Sequence, residues 1–127
     1  MREVLIIEDR EYEFLSNSGT AIIYKHIFKS DLIIELDKVT KKKKNIEKAE
    51  ALESIERLAF VMNIQATKGF REIYNQTDEV DFLEWISQFE EGTFYDSELV
   101  VGIIRIWNNN TIGLSESKNL ASLPAEK

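Results

Sequence analysis

Few side chains in this 127-residue chain have the chemistry that catalysis or metal binding requires. It contains one histidine, His26, and no cysteine. A Ser–His relay or a histidine metal site needs further partners at fixed geometry. The lack of cysteine excludes thiolate zinc sites, iron–sulfur clusters and thiol nucleophiles. His26 lies among apolar residues of a predicted helix, so we interpret it as a partly exposed helix residue and predict no metal site.

Acidic residues form three local groups, Glu8-Asp9, Asp78-Glu79-Asp81 and Glu90-Glu91. Two carboxylates act as acid and base only in a cleft that separates their pKa values. These groups lie in predicted turns and helix ends, where carboxylates favour solubility and the helix dipole. The spacing around Asp78 also lacks the glycine and the twelve-residue loop of a calcium site. The sequence predicts no catalytic residue and a protein that is not an enzyme; an enzyme without recognisable motifs stays as an alternative.

Phosphate, nucleic-acid and membrane partners are also disfavoured. The five glycines are scattered, so no phosphate-binding glycine loop is formed and no cofactor is expected. Lys41–Lys44 is the only basic run, and the formal net charge is −7, which disfavours binding to nucleic acid. Apolar runs stay below the roughly 18 residues that span a bilayer. We predict a cytoplasmic protein that binds neither nucleic acid nor membrane.

The apolar pattern predicts an α+β, mainly α fold that begins with a β-hairpin. Two short strands, Val4–Ile7 and Tyr12–Phe14, flank a polar turn, with Ile7 placed opposite Tyr12. Val4 and Ile6 then lie on the face opposite to the helices. That half-apolar face is a candidate contact for another strand or subunit, or is covered by the same chain. The face toward the helices holds four residues: Leu5, Ile7, Tyr12 and Phe14.

About four to five amphipathic helices are predicted after the hairpin. Ser16–Ser18 offers caps for the first one, and the longest covers about residues 46–66. Leu32–Leu36 fits a short helix or a strand. Asn108–Asn110 is expected to end the last helix, which leaves one domain over residues 1–110 and a disordered, flexible tail over 111–127. The stripe of the first helix contains Thr20, Ile23, Tyr24, Ile27 and Phe28.

Large aromatic residues cluster late in the chain and suit either a core or a binding groove. We predict partner binding at Trp85, Phe89 and Trp107, with plain core packing as the alternative. Self-association is predicted at Val4 and Ile6. A small acidic domain with these features suits a binding or assembly protein better than an enzyme.

Three stretches, taken in order, carry a resemblance to a known family. Val4–Phe14 is an apolar strand, a turn and a strand with tyrosine. Tyr24–Leu32 has an aromatic-x-x-x-Phe spacing followed by Asp and an apolar residue. Phe82–Phe89 has a Trp-apolar-x-x-Phe motif, and a helix ending in Ile106-Trp107-Asn108 follows it. Over most of residues 1–110 this order resembles the small tail assembly chaperones of long-tailed bacteriophages and prophages of Gram-positive hosts. Lys29-Ser30 replaces the family's Gly-Lys, which predicts a different turn.

The resemblance implies a specific function. Such chaperones bind the tape measure protein in the host cytoplasm, keep its apolar helices soluble and are absent from the mature virion. They tend to form homo-oligomers. Many are also made in a longer, frameshifted form whose added part recruits the major tail protein, and the stretch from Asn109 to Lys127 would suit such a splice point. The alternative is a small non-enzymatic adaptor or regulatory domain that binds one protein.

Overall fold

The computed structural model describes the backbone of residues 1–41 and 48–122 and the side chains of residues 1–37 and 52–109. In these ranges a β-hairpin is followed by α-helices, so the predicted mainly α, α+β class is confirmed. A short 3-10 helix covers Thr93–Tyr95. The strands and α-helices are β1 (Arg2–Ile7), β2 (Arg10–Leu15), α1 (Thr20–Phe28), α2 (Leu32–Lys41), α3 (Lys48–Thr67), α4 (Phe70–Gln76), α5 (Glu79–Ile86) and α6 (Ser97–Ser122).

The hairpin has the predicted faces but not the predicted register. Leu5, rather than Ile7, lies opposite Tyr12. The turn contains only Glu8 and Asp9, whose φ angles of 53° and 66° are those of a tight type I′ turn. The predicted register is wrong by two residues, and a shift of two keeps every side chain on its face. Ile7 and Phe14 are therefore buried against the helices as expected.

Helix α3 is the centre of the fold. Five consecutive residues, 58–62, are all buried, so this part of the helix has no face toward solvent. The hairpin, α1, α2, α5 and α6 all pack against it. An amphipathic helix has one buried stripe, whereas a helix that is apolar all round must be surrounded by other elements. The buried residues of α3 are Ser54, Ile55, Leu58, Ala59, Phe60, Val61, Met62, Ile64 and Gln65.

Helix α1 buries the five residues of the predicted stripe and no others. Its predicted N-cap is wrong, because the helix begins after Gly19 without a side-chain cap. Asn17 instead accepts a hydrogen bond from the Gly19 N–H (2.8 Å). At the other end, Lys29 adopts a left-handed conformation with φ 58° and ψ 34°. This is the C-terminal conformation that glycine favours.

The structure decides two further expectations, on the Leu32–Leu36 segment and on the end of the last helix. The ambiguous Leu32–Leu36 stretch is helical, and the Asp31 side chain accepts from the Ile34 N–H (3.1 Å) at its start. The expectation that Asn108–Asn110 end the last helix is wrong, since α6 continues to Ser122. Of the predicted flexible tail, residues 123–127 lie outside the described residues, as do 42–44 of the basic run. No helix in the described part of the chain is long and apolar enough to cross a membrane.

Lys29→Gly should stabilise the fold. A non-glycine residue in the left-handed region carries a steric penalty of about 1–2 kcal/mol. Part of that gain is lost with the bond from Lys29 Nζ to the His26 carbonyl (2.8 Å). We expect the free energy of unfolding in urea to rise by about 0.5–1 kcal/mol. Lys25→Gly, inside the same helix, should lower it by about 1 kcal/mol. A destabilised Lys29→Gly would contradict the prediction.

Candidate functional site

A groove of about 560 Å³ lies between α1 and α4. Its apolar wall consists of side chains that are half or more exposed: Ile22 (64%), Phe70 (51%) and Tyr74 (51%). Polar residues from the β2–α1 connection, Asn17 and Ser18, close one end. Exposed aromatic and β-branched side chains gathered in a concave site are typical of a surface that binds a partner.

The groove exists because each of its two helices leaves one face uncovered. Ile22 lies outside the buried stripe of α1, and Ile73 is the buried residue of α4. The Phe70 ring lies directly over Gly19, where the Cβ of any other residue would collide with the ring. Glycine at this position therefore allows α4 to approach the start of α1 closely.

His26 joins the same two helices. Its ring stacks on Tyr74 with 3.7 Å between ring centroids, and Nε2 lies 2.7 Å from the Tyr74 carbonyl oxygen. The imidazole thus holds the Tyr74 side of the groove in place. His26 is a partly exposed helix residue, as the sequence had indicated.

One cation lines the groove although the chain as a whole is acidic. Among the described residues that line it, Arg71 of α4 is the one charged residue. Lys25 and Lys29, on or beside α1, and Glu72 of α4 are exposed but do not line the groove. An apolar wall beside one arginine suits an amphipathic helix that carries a carboxylate beside its apolar face.

Buried polar contacts fix α1 against α2 and α3. Glu35 accepts hydrogen bonds from Tyr24 (2.5 Å), Ser54 (2.9 Å) and Ser30. Burial alone raises the pKa of the Glu35 carboxyl, but the three hydrogen bonds and the Arg57 charge outweigh it and lower the pKa. Burial, together with the bond to Glu35, raises the pKa of the Tyr24 phenol. The orientation of α1, and so of Ile22 on its outer face, depends on this network.

The predicted partner-binding aromatics lie half-buried against the core. Trp85 packs against Phe89 (5.1 Å between centroids) and Phe60 (5.6 Å), and its Nε1 donates to Asn63 (3.0 Å). Trp107 lies on α6, also partly buried against the core. The structure brings Trp85 and Phe89 together in one aromatic cluster that links α3 to α5. Partner binding by these three residues stays a prediction.

The acidic groups have structural partners. Glu8 accepts hydrogen bonds from the Thr93 hydroxyl (2.5 Å) and the Glu90 N–H (2.7 Å), which lower its pKa. Asp78 caps α5 in a reciprocal capping box with Asp81. Within the described residues no three histidine or acidic side chains lie close enough together to hold a metal ion. These contacts show the acids joining loops and capping helices.

The outer face of the hairpin is the second exposed apolar surface. Val4 is 49% and Ile6 60% exposed, as the predicted face requires. Their cross-strand neighbours are Glu13 and Glu11. The two apolar side chains therefore lie beside a row of acids on one side and the free edge of β1 on the other.

Sequence reasoning missed the groove between α1 and α4. Its two walls are separated by about fifty residues in the chain, and no motif links them. The available signal was Ile22 and Tyr74, apolar residues that do not fit a buried stripe. Apolar residues off the stripe indicate exposed positions but not which helices will lie together.

Comparison with known proteins adds no relative. The chain matches no protein family, no curated protein and no solved structure with which it was compared. The interpretation of its surfaces therefore depends on their own geometry and chemistry.

Glu35→Gln should destabilise the fold in a pH-dependent way. Because the folded-state pKa of Glu35 is lowered, its contribution is present above the unfolded-state pKa and is lost as the pH falls through the folded-state value. We expect a loss of about 1–3 kcal/mol near neutral pH that shrinks below about pH 4. Urea unfolding at a series of pH values measures it. Glu84→Gln, at an exposed position of α5, is the control and should show less than about 0.5 kcal/mol.

Trp85→Ala should lower the free energy of unfolding by roughly 2–4 kcal/mol, since the indole is half-buried among three rings. Trp85→Phe keeps most of that packing and leaves Asn63 without the indole N–H, so about 1 kcal/mol should be lost. Chemical denaturation of the purified variants measures both. A Trp85→Ala variant of unchanged stability would contradict this packing role.

Proposed function

We propose that this protein is a tail assembly chaperone of a long-tailed bacteriophage or prophage. It binds the tape measure protein in the host cytoplasm and keeps it soluble until tail tube subunits assemble around it. The observation that carries the binding function is the exposed apolar groove between α1 and α4, with Arg71 among its lining residues. The ordered resemblance of the hairpin, the Tyr24–Leu32 segment and the late aromatic helices supports this choice of partner.

The turn after α1 adds support. Lys29 stands where the resembling family has glycine, and its backbone adopts the left-handed conformation that glycine favours. Lys29 therefore differs from the family's glycine in residue type, but its backbone has a conformation that glycine would adopt without strain. The segment that follows, from Asp31 into α2, begins with a side-chain cap on the Ile34 N–H.

The groove suits a helix that has to be released later. A tape measure protein is long and helical, so each copy of a small chaperone covers one segment of it. Burying a few half-exposed side chains such as Ile22, Phe70 and Tyr74 gives roughly 1.5–3 kcal/mol each at most, before the costs of association. Each contact is then weak, and many copies hold the partner together through avidity. Polymerising tail tube subunits can displace such copies one at a time.

Two further parts of the proposal come from the resemblance. The chain forms homo-oligomers, and a longer frameshifted form recruits the major tail protein. The encoding DNA tests the second part directly. A slippery heptamer near the stop codon, followed by an overlapping frame and then a very long helical gene, is the expected arrangement.

Co-expression with the tape measure protein of the same genome tests the binding function. We expect the tape measure protein to become soluble and to co-purify with this chain. Ile22→Lys places a charge on the apolar wall of the groove and should weaken binding at least tenfold, about 1.4 kcal/mol or more. Ile33→Lys, an equally exposed position on α2, is the matched control and should bind as the wild type does.

The possible results separate the chaperone function from the adaptor function. A wild-type chain that neither solubilises nor retains the tape measure protein would reject the chaperone function and favour the adaptor. Retention that Ile22→Lys and Ile33→Lys leave equally strong would reject the groove as the binding site. Circular dichroism of both variants shows whether they are folded.

A further inference from the structure

The free edge of β1 carries backbone groups that point away from β2. Met1 and Ser16 exchange backbone hydrogen bonds across the open end of the hairpin. Hydrogen-bonded and non-hydrogen-bonded pairs alternate along an antiparallel ladder. Because Met1–Ser16 is a hydrogen-bonded pair, the next pair along the ladder and every second pair after it are non-hydrogen-bonded. These pairs are Arg2–Leu15, Val4–Glu13 and Ile6–Glu11. The N–H and C=O groups of Arg2, Val4 and Ile6 consequently face outward.

The two edges of the hairpin differ in their cover. The outward carbonyl of Glu13 on β2 accepts a hydrogen bond from Asn63 Nδ2 of α3 (2.9 Å). On β1, no residue of the described ranges bonds the outward backbone groups of Arg2, Val4 or Ile6. Helix α6 contacts β1 from the inner face, where Leu5 lies against Gly102 and Glu3 pairs with Arg105. Among the described side chains, none forms a hydrogen bond at the edge of β1, and Val4 and Ile6 on its outer face are exposed.

We propose that β1 pairs with β1 of a second copy of this chain, antiparallel and with Val4 opposite Val4 of that copy. The two hairpins then form one four-stranded sheet with a twofold axis at Val4. The proposal deepens the self-association included in the proposed function. It concerns the chain alone, so it stands or falls independently of the tape measure protein.

Backbone pairing and charge select this register. Outward groups of one strand meet outward groups of the other only when even-numbered residues are opposite each other. With Val4 at the axis, Arg2 lies opposite Ile6 and Glu3 opposite Leu5, so no like charges face each other. Shifting by two residues in one direction places Glu3 opposite Glu3, which is repulsive. Shifting in the other direction moves Arg2 past the end of the partner strand, against the turn.

The side chains favour a second copy over an unrelated strand. In this register Val4 and Ile6 of both copies form one apolar stripe on the outer face, with the Arg2 stem beside Ile6. Pairing thus places Val4 and Ile6 of the two copies side by side and satisfies three N–H and three C=O groups per copy. An open, partly apolar edge strand tends to pair with another strand. In a twofold arrangement each β1 edge pairs with the other, so neither edge stays open.

Single cysteines in this cysteine-free chain test the register. Across the twofold axis the Val4 Cα atoms would lie about 5.5 Å apart, within disulfide range. Ile6 and its symmetry mate would lie about 14 Å apart, out of range. We expect Val4→Cys to form a disulfide-linked dimer under mild oxidation at least tenfold faster than Ile6→Cys, although Ile6 is the more exposed side chain.

A charge exchange at the axis provides a second test. Val4→Lys and Val4→Glu should each raise the dimer dissociation constant about tenfold, since like charges would lie opposite each other. An equimolar mixture of the two variants should dimerise again with about the wild-type dissociation constant. Sedimentation equilibrium measures the dimer dissociation constant of all three samples. The control variant Ile33→Lys should dimerise as the wild type does.

The proposal is overturned if the purified chain stays monomeric at about 100 μM, well above the Kd of a specific dimer. It is also overturned if Ile6→Cys cross-links as fast as Val4→Cys, or if mixing the two charge variants restores nothing. A chain that dimerises in this way yet does not bind the tape measure protein would support the interface and reject the chaperone function.

Discussion

The burial of the middle of α3 on all sides is the constraint on which the rest of the fold depends. Residues 58–62 are apolar, and this stretch of the helix has no face toward solvent. Every neighbouring element must therefore turn its single apolar stripe or face inward to cover α3. The outer faces of the hairpin, α1 and α4 do not contact α3, and the apolar groove and the Val4–Ile6 face lie there.

Polar side chains of α3 decide where those neighbours lie. Packing alone leaves helices free to slide, whereas a buried polar group has to meet its partner. Asn63 donates to the Glu13 carbonyl of β2 and accepts from Trp85 of α5, so it joins hairpin and helix at one point. Gln65 accepts from Thr20 of α1 (2.7 Å). Ser54 donates to Glu35 of α2. The hairpin, α1, α2 and α5 are thus each joined to α3 by a hydrogen bond of a polar α3 side chain.

Periodicity predicted the elements whose burial is one-sided, and it failed where burial or geometry has another cause. The stripe of α1 and the two hairpin faces follow from spacing alone. Spacing predicted only one apolar side of α3. Residues 58–62 are apolar all round, so no polar residue there marks a separate exposed side. The hairpin register follows from the φ angles of Glu8 and Asp9, which their residue types do not specify. The groove joins helices distant in sequence, so residue spacing along the chain could not reveal it.

The two surfaces share no residue, and this separation has a functional consequence. The groove is lined by α1, α4 and the connection before α1, whereas the free edge belongs to β1. Pairing through β1 therefore uses no residue that a helix in the groove would contact. If two copies pair as proposed, the pair would present two grooves, and two weak contacts to one long helical partner would act together. The same separation allows variants of Val4 and of Ile22 to disable one surface while the other keeps its structure.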